Sequence, residues 1–437
     1  MNSLRRFFNE IWLYAVALGK WLAVAAVAGV CCGLVGSAFA LSVNYATALR
    51  GSLPWLLYLL PIAGLIIVTV YKWLHTEGQG TDDIIDAVHL GKPLSIKLIP
   101  SIFIGTVLTH LCGGSAGREG AALQMGGAIG YCSSRIFHLD DRDTRTATLC
   151  GMAAFFSALF GTPLAATMFA IMAISVGELY HAAFIPCFTA SLVAYAISLL
   201  LGVTPVRFEL AVPALIKTGL VRVAILAALC AWVSVLFCSV LHFAEKKAKK
   251  LLPNPWIRAV VGGCIVIALT FICGTTDYNG AGMDVISAAI NEGRVNPEAF
   301  ILKIIFTSVT LAAGFKGGEV VPCFFIGATF GCAVAPLLGL PASFGAALGL
   351  VSVFCGATNC PIASTFLSIE VFGGSGLLYF AMACGISYML SGYSGLYSSQ
   401  TILYSKLKAQ YINVHTNAHH VGDTSEKLPD VKGSLKD

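Results

Sequence analysis

The chain has 437 residues, of which 57% are hydrophobic and only 11% charged, with a formal net charge of +5. A mean hydropathy of +0.82 excludes a soluble globular domain, because such a domain would leave too much apolar surface against water. The composition is that of an all-α polytopic membrane protein.

The opening stretch MNSLRRFFNEIWLYAVALGKWL carries charge on both flanks of its apolar part and has no small-residue cleavage site. Residues 1–20 are therefore predicted as a cytoplasmic amphipathic helix lying in the membrane interface, not a signal peptide. Apolar windows long enough to cross roughly 30 Å of hydrocarbon follow at 21–46, 55–74, 184–201, 221–243 and 257–273. With the shorter, Gly- or Pro-interrupted runs included, about 10 to 18 membrane segments are expected, several too short to span. Basic residues gather in short hydrophilic stretches: Arg5 and Arg6, Arg142 and Arg145, and Lys246, Lys247, Lys249 and Lys250. The positive-inside rule places such stretches in the cytoplasm, which accounts for them without nucleic acid.

Between the second and third apolar runs lies Glu77-Gly78-Gln79-Gly80-Thr81-Asp82-Asp83. Its amides, the Gln79 amide and the Thr81 hydroxyl suit a small anion, and a solvent-facing loop reads equally well. Next comes Gly113-Gly114-Ser115-Ala116-Gly117-Arg118-Glu119-Gly120, opening a helical run, and then FFSALFGTPLAATMFAIM. A parallel series recurs in the second half as GFKGGEVVPCFFIGATFG followed by FCGATNCPIASTFLSIE. Glu119 and Glu319 stand 319 − 119 = 200 residues apart, and the step from glutamate to downstream proline is 163 − 119 = 44 and 361 − 319 = 42 residues. Two related halves are predicted, 21–210 and 211–405, of the inverted-repeat kind that holds a transport site between its broken helices. The stretch from residue 406 to 437 is polar and is expected to be a disordered tail.

A carboxylate at membrane depth costs on the order of 3 kcal/mol or more, so it faces an internal cavity and marks an ion or proton route. Glu119 is the first candidate. The glycines around it, Gly117 and Gly120 among them, allow a sharp loop with open amides, and Arg118 adds a positive charge. The following helix N-terminus, with unsatisfied N–H groups and partial positive charge, suits an anion. Ionised, Glu119 fills that site itself; protonated, it vacates it. Glu319, Val320 and Val321 open the second such helix, and Phe324 and Phe325 follow one and a half turns on. Phenyl rings present positive edges to a small anion, although packing within the membrane explains either ring taken singly. Asn359, just ahead of Pro361, has an amide that either donates to an anion or caps the next helix. Tyr397, after the last long apolar run, offers a phenolic donor or is an ordinary interfacial tyrosine. The fifteen cysteines sit in apolar runs without paired spacing, so they read as small packing residues. No metal, cofactor or nucleophile–base pair is expected, and hence no enzyme.

These motifs resemble the CLC superfamily of chloride channels and proton-coupled anion transporters over roughly residues 20–405. The resemblance rests on GREG around Glu119, GGEVVP at the family's GGxxxP position, FGTPLA, NCPIAS, and Leu396-Tyr397-Ser398. It implies a CLC-type inverted-repeat helical bundle with broken and re-entrant helices, working as a homodimer with one anion pathway per subunit. By that resemblance Glu119 is gate and proton carrier, Tyr397 contacts the central anion, and Gly78, Gln79 and Gly80 form the first anion loop. Several positions depart from the chloride exchangers. Gln79 stands for the chloride-coordinating serine, where the fluoride branch often has methionine; Ala121 stands for a proline; Met172 and Ala173 stand where an inner proton-transfer glutamate would be. GGEVVPCFFIGATFG looks like the fluoride-exporting bacterial branch. The implied function is a fluoride/proton antiporter of the bacterial inner membrane, with both termini cytoplasmic, exporting fluoride on inward proton flow. The alternatives are a chloride or broad halide exchanger and a passive anion channel.

Overall fold

The computed structural model describes residues 2–214, 216–408 and 410–417. Sixteen α-helices account for most of the described chain, in two series of eight. The first comprises α1 (Asn2–Ser52), α2 (Leu60–Trp73), α3 (Thr81–Leu90), α4 (Leu98–Leu111), α5 (Glu119–Ile136), α6 (Asp141–Phe160), α7 (Pro163–Met172) and α8 (Phe184–Leu200). The second comprises α9 (Lys217–Leu251), α10 (Pro255–Cys273), α11 (Met283–Asn291), α12 (Ala299–Ala312), α13 (Val320–Val334), α14 (Ala342–Thr358), α15 (Pro361–Phe372) and α16 (Leu377–Leu390). Each series starts on its longest helix, of 51 and 35 residues. Each has a short third helix of 10 or 9 residues and a fourth of 14.

Helix starts follow from local sequence. Pro163 and Pro361 occupy the first turns of α7 and α15, where a missing N–H costs nothing. At 10 and 12 residues, these two extend only about 15 to 18 Å at 1.5 Å per residue, too short to cross the hydrocarbon. Among the described residues six helical stretches are long and apolar enough to cross a membrane. The expected separate helix over 1–20 is not a distinct element. α1 continues through that point to Ser52 because no proline interrupts it.

Backbones approach closely where glycines oppose one another. Gly126 and Gly130 of α5 meet Gly151 of α6, and Gly327 and Gly331 of α13 meet Gly345 and Gly349 of α14; a methyl on any of these would enter the opposing backbone. Small residues are how helices pack in lipid. Glu370 of α15 crosses between the halves: its carboxylate accepts the N–H groups of Leu164 (3.0 Å) and Ala165 (2.8 Å) at the start of α7, a charge suited to a helix N-terminus.

The expectation of a disordered tail from residue 406 onward needs correction. A three-stranded sheet joins β1 (Ser175–Val176), parallel to β2 (Thr401–Tyr404), with β3 (Tyr411–His415), antiparallel to β2. Ile402 and Val414 pair in register, and Val176, Ile402 and Val414 form a small apolar cluster. That apolar face, with Tyr388, Tyr393 and Ile412 packed against it, orders the segment. Residues 418–437 of the expected tail lie outside the described residues.

Candidate functional site

The two glutamate loops meet. Gly117 and Gly318 pair as an antiparallel bridge, each N–H donating to the other's carbonyl at 2.7 Å. Glu119 is the first residue of α5 and Glu319 the residue capping α13, so two helix N-termini and two carboxylates converge across this bridge. The fit depends on glycine: a methyl on Gly120 would lie 2.8 Å from Gly318 Cα and 2.9 Å from Glu319 Oε2. Gly113 takes a φ of +83° at the turn into the loop, a conformation that favours glycine.

The carboxylates differ in setting. Glu119 is 1% exposed; its Oε2 accepts the Arg118 N–H at 2.8 Å, while Oε1 has no hydrogen bond and lies 3.5 Å from Arg118 Nε. Arg118 also donates from its guanidinium to Asn44 Oδ1 at 3.0 Å. Glu319 is half-buried and lines a cavity of about 500 Å³, although its Oε2 is enclosed and without a partner. Buried polar atoms are nearly always paired. A cluster of oxygens without hydrogen bonds beside two helix N-termini therefore singles out this place as the candidate site.

Tyr397 completes the cluster: 2% exposed, with an unpartnered hydroxyl, it lines the same cavity. Gly78, Gln79 and Gly80 line it too. The Gly80 N–H, however, donates to Asp83 Oδ2 at 2.8 Å and the Gln79 N–H to Thr76 O at 3.3 Å, so the loop keeps two of its amides for itself. Val320 and Val321 form the buried first turn of α13.

Phe324 and Phe325 point to different surroundings. Phe324 sits edge-on between Phe160 (centroids 5.7 Å, 80°) and Phe354 (5.1 Å, 64°). Phe325 packs on Tyr278 at 6.4 Å, with the buried Lys303 ammonium 4.9 Å from its ring centre. Phe160, in the FGTPLA stretch, and Phe354 were not singled out from sequence, since nothing local distinguishes a ring that joins a cluster 164 residues away (324 − 160 = 164). Thr162, buried with an unpartnered hydroxyl, belongs to the same turn.

Asn359 departs from both expected roles. It ends α14 with a φ of +58° instead of capping α15, whose cap is Cys360. Its amide donates to Ser394 O (3.0 Å) and Gln400 Oε1 (3.2 Å), and its Oδ1 accepts from Lys406 Nζ at 2.6 Å, leaving nothing free for an anion.

The family model described as "voltage gated chloride channel" matches residues 62–392. The chain belongs to that family, the CLC family. Among its relatives is the "chloride/fluoride channel protein" of Pseudomonas syringae pv. tomato, 34% identical over 401 residues, covering 89% of this chain and 88% of the relative. The H(+)/Cl(-) exchange transporter ClcA of Vibrio cholerae is 27% identical over 383 residues, covering 78% and 80%. Among solved structures, a CLC-type fluoride/proton antiporter superposes with a TM-score of 0.85 at 32% identity, over 88% of this chain and 98% of that one. A slow cyanobacterial Cl-/H+ antiporter, at 20% identity and a TM-score of 0.73, shares the CLC fold. CLC membership makes the inverted-repeat architecture expected from sequence the architecture of this protein, and the family's members are transporters and channels.

Proposed function

We propose that this CLC protein exchanges fluoride for protons, exporting cytoplasmic fluoride on inward proton flow, with residues 21–210 and 211–405 as its two repeats. The observation that carries the reading is the pair of facing carboxylates: Glu119 sealed at one helix N-terminus, Glu319 at the other and open to the cavity, each with an oxygen that accepts no hydrogen bond. A sealed carboxylate closes an anion path while ionised and leaves it on protonation, so one side chain trades a proton for an anion. Met172 and Ala173 end α7 where an exchanger with a separate inner proton route would carry a carboxylate, which supports a shared route through Glu119. The edge-on rings of Phe160, Phe324 and Phe354 support a compact, strongly hydrated anion, since ring edges are positive. The fluoride named for the similar Pseudomonas protein and the similar solved antiporter supports the same substrate.

In this reading the protein is a homodimer in a bacterial inner membrane, with the Lys246–Lys250 face and both termini cytoplasmic. The test is anion efflux from liposomes holding purified protein, with and without a proton gradient. Fluoride is expected to leave much faster than chloride, and a proton gradient alone is expected to drive it uphill. Chloride rates equal to or above fluoride rates would replace the substrate by chloride. Efflux indifferent to the proton gradient would make the protein a passive channel.

A further inference from the structure

The cavity that reaches Glu319 and Tyr397 holds a cation that the gate does not use. Lys316 lies in the turn between α12 and α13, three residues ahead of Glu319, and lines that cavity. Its position is built rather than incidental. The Lys316 N–H donates to Thr109 Oγ1 at 3.2 Å. Its stem lies on Gly105, where a methyl would come to 3.0 Å of Lys316 Cγ, and its ammonium stands 4.3 Å from the centre of the Tyr71 ring.

Among the described residues the ammonium has no carboxylate partner and no protein oxygen accepting from it. The other cationic side chains of the same wall are engaged: Lys249 pairs with Glu245 at 3.8 Å, and Arg258 donates to Leu252 O at 3.2 Å. Tyr71 is 4% exposed and also lines the cavity, and its hydroxyl has no partner. The ring attracts the ammonium but does not neutralise it, so one unit of positive charge and one O–H donor stay available to a ligand. Around them the wall carries Glu77, Asp82, Asp83 and Glu245, which repel an anion unless a local positive charge offsets them. An ammonium is a compact, strongly hydrated cation, and with a phenolic donor it matches a small, strongly hydrated monovalent anion.

We propose that Lys316 and the Tyr71 hydroxyl form an outer binding station, where a small anion is captured in the cavity before it reaches Glu319 and Tyr397. The station takes fluoride if the function proposed above is right, and in that respect it rests on that reading. The experiment is transport by purified protein in liposomes as a function of anion concentration, at low and high ionic strength, for wild type, Lys316→Met, Lys316→Arg and Tyr71→Phe. Expected are a rise in KM of about tenfold for Lys316→Met, with the maximal rate kept, and a weaker dependence of KM on ionic strength. Lys316→Arg is expected to restore most of the affinity and the salt dependence. Tyr71→Phe, which keeps the ring, is expected to raise KM a few-fold. A merely structural lysine would change stability or maximal rate and leave the salt dependence of KM alone. KM within twofold of wild type in both Lys316→Met and Tyr71→Phe would overturn the station. Should Lys316→Met fail to purify as a folded species, Tyr71→Phe decides alone. Wild-type protein that moves chloride and not fluoride would overturn the substrate reading instead, and the same variants measured with chloride would still decide the station.

Discussion

Glu119 and Glu319 show how one residue type is held in two settings by its surroundings. Both sit at helix N-termini, yet Glu119 is sealed while Glu319 opens to the cavity. Removing the charge at Glu119 while keeping its shape is therefore the sharpest substitution. In Glu119→Gln liposomes, anion movement is expected to persist or fall while proton movement coupled to it disappears; proton uptake still driven by a fluoride gradient would refute the gate. The neighbouring rings divide in the same way. Phe324 belongs to the edge-on trio with Phe160 and Phe354, whereas Phe325 packs on Tyr278 and Lys303. Phe324→Leu is expected to narrow the preference for fluoride over chloride at nearly unchanged melting temperature. Phe325→Leu is expected to cost about 1 to 3 kcal/mol of stability and to leave the preference intact, and the reverse pattern would reassign the rings. The spacing of Phe324 and Phe325 in sequence cannot separate them, because the partners that do so lie on other elements.

At the scale of elements, the segment after α16 is held by a hydrogen-bond network centred on a buried cation. Lys406 is 8% exposed and donates to Asn359 Oδ1 (2.6 Å), Tyr388 O (2.8 Å) and Ser391 Oγ (3.2 Å). Asn359 and Gln400 share a hydrogen bond, Gln400 reaches Ala173 O and Thr358 O, and the Gln400 N–H donates to Tyr397 O at 3.2 Å. The loop bearing Tyr397 is thus tied to the ends of α7 and α14 and to the β2–β3 hairpin. Asn359→Ala removes an acceptor from a buried ammonium and places alanine at a positive φ, so a loss of about 3 to 5 kcal/mol is expected. It should be read as a lowered melting temperature in detergent, together with weakened anion affinity through the loosened Tyr397 loop. Unchanged melting would show that the network carries no load. Sequence gave no hint of this arrangement. A polar run beginning at a lysine reads as a solvated tail, and the groups that satisfy Lys406 come from segments about 15 to 50 residues earlier. The glutamate loops, by contrast, were visible, since a charge bracketed by glycines in an apolar chain has few explanations.

For the whole molecule, α2 packs on α10 and α7 on α15 across the two eight-helix series, and within each series close backbone approaches recur at corresponding places. α5 meets α6 at Gly126, Gly130 and Gly151, and α13 meets α14 at Gly327, Gly331, Gly345 and Gly349. The duplication was visible as spacing in the sequence. The crossings were not, because a glycine in a membrane helix looks the same whether it faces lipid or another backbone. Gly385 of α16 supplies the contrast, with nothing within 4 Å of an added methyl. Since α5 and α13, at whose N-termini the two glutamates stand, each take part in one crossing, forcing a crossing apart should damage site and fold together. Gly151→Ala and Gly349→Ala are each expected to abolish recovery of a monodisperse protein or to lower its melting temperature sharply, because the obstructing atoms are backbone and cannot rotate away. Gly385→Ala is expected to be neutral or to stabilise by about 0.5 to 1 kcal/mol through helix propensity. Size-exclusion profiles and thermal melting of the three variants decide the matter. Equal behaviour of all three would mean that the crossings within each series tolerate separation.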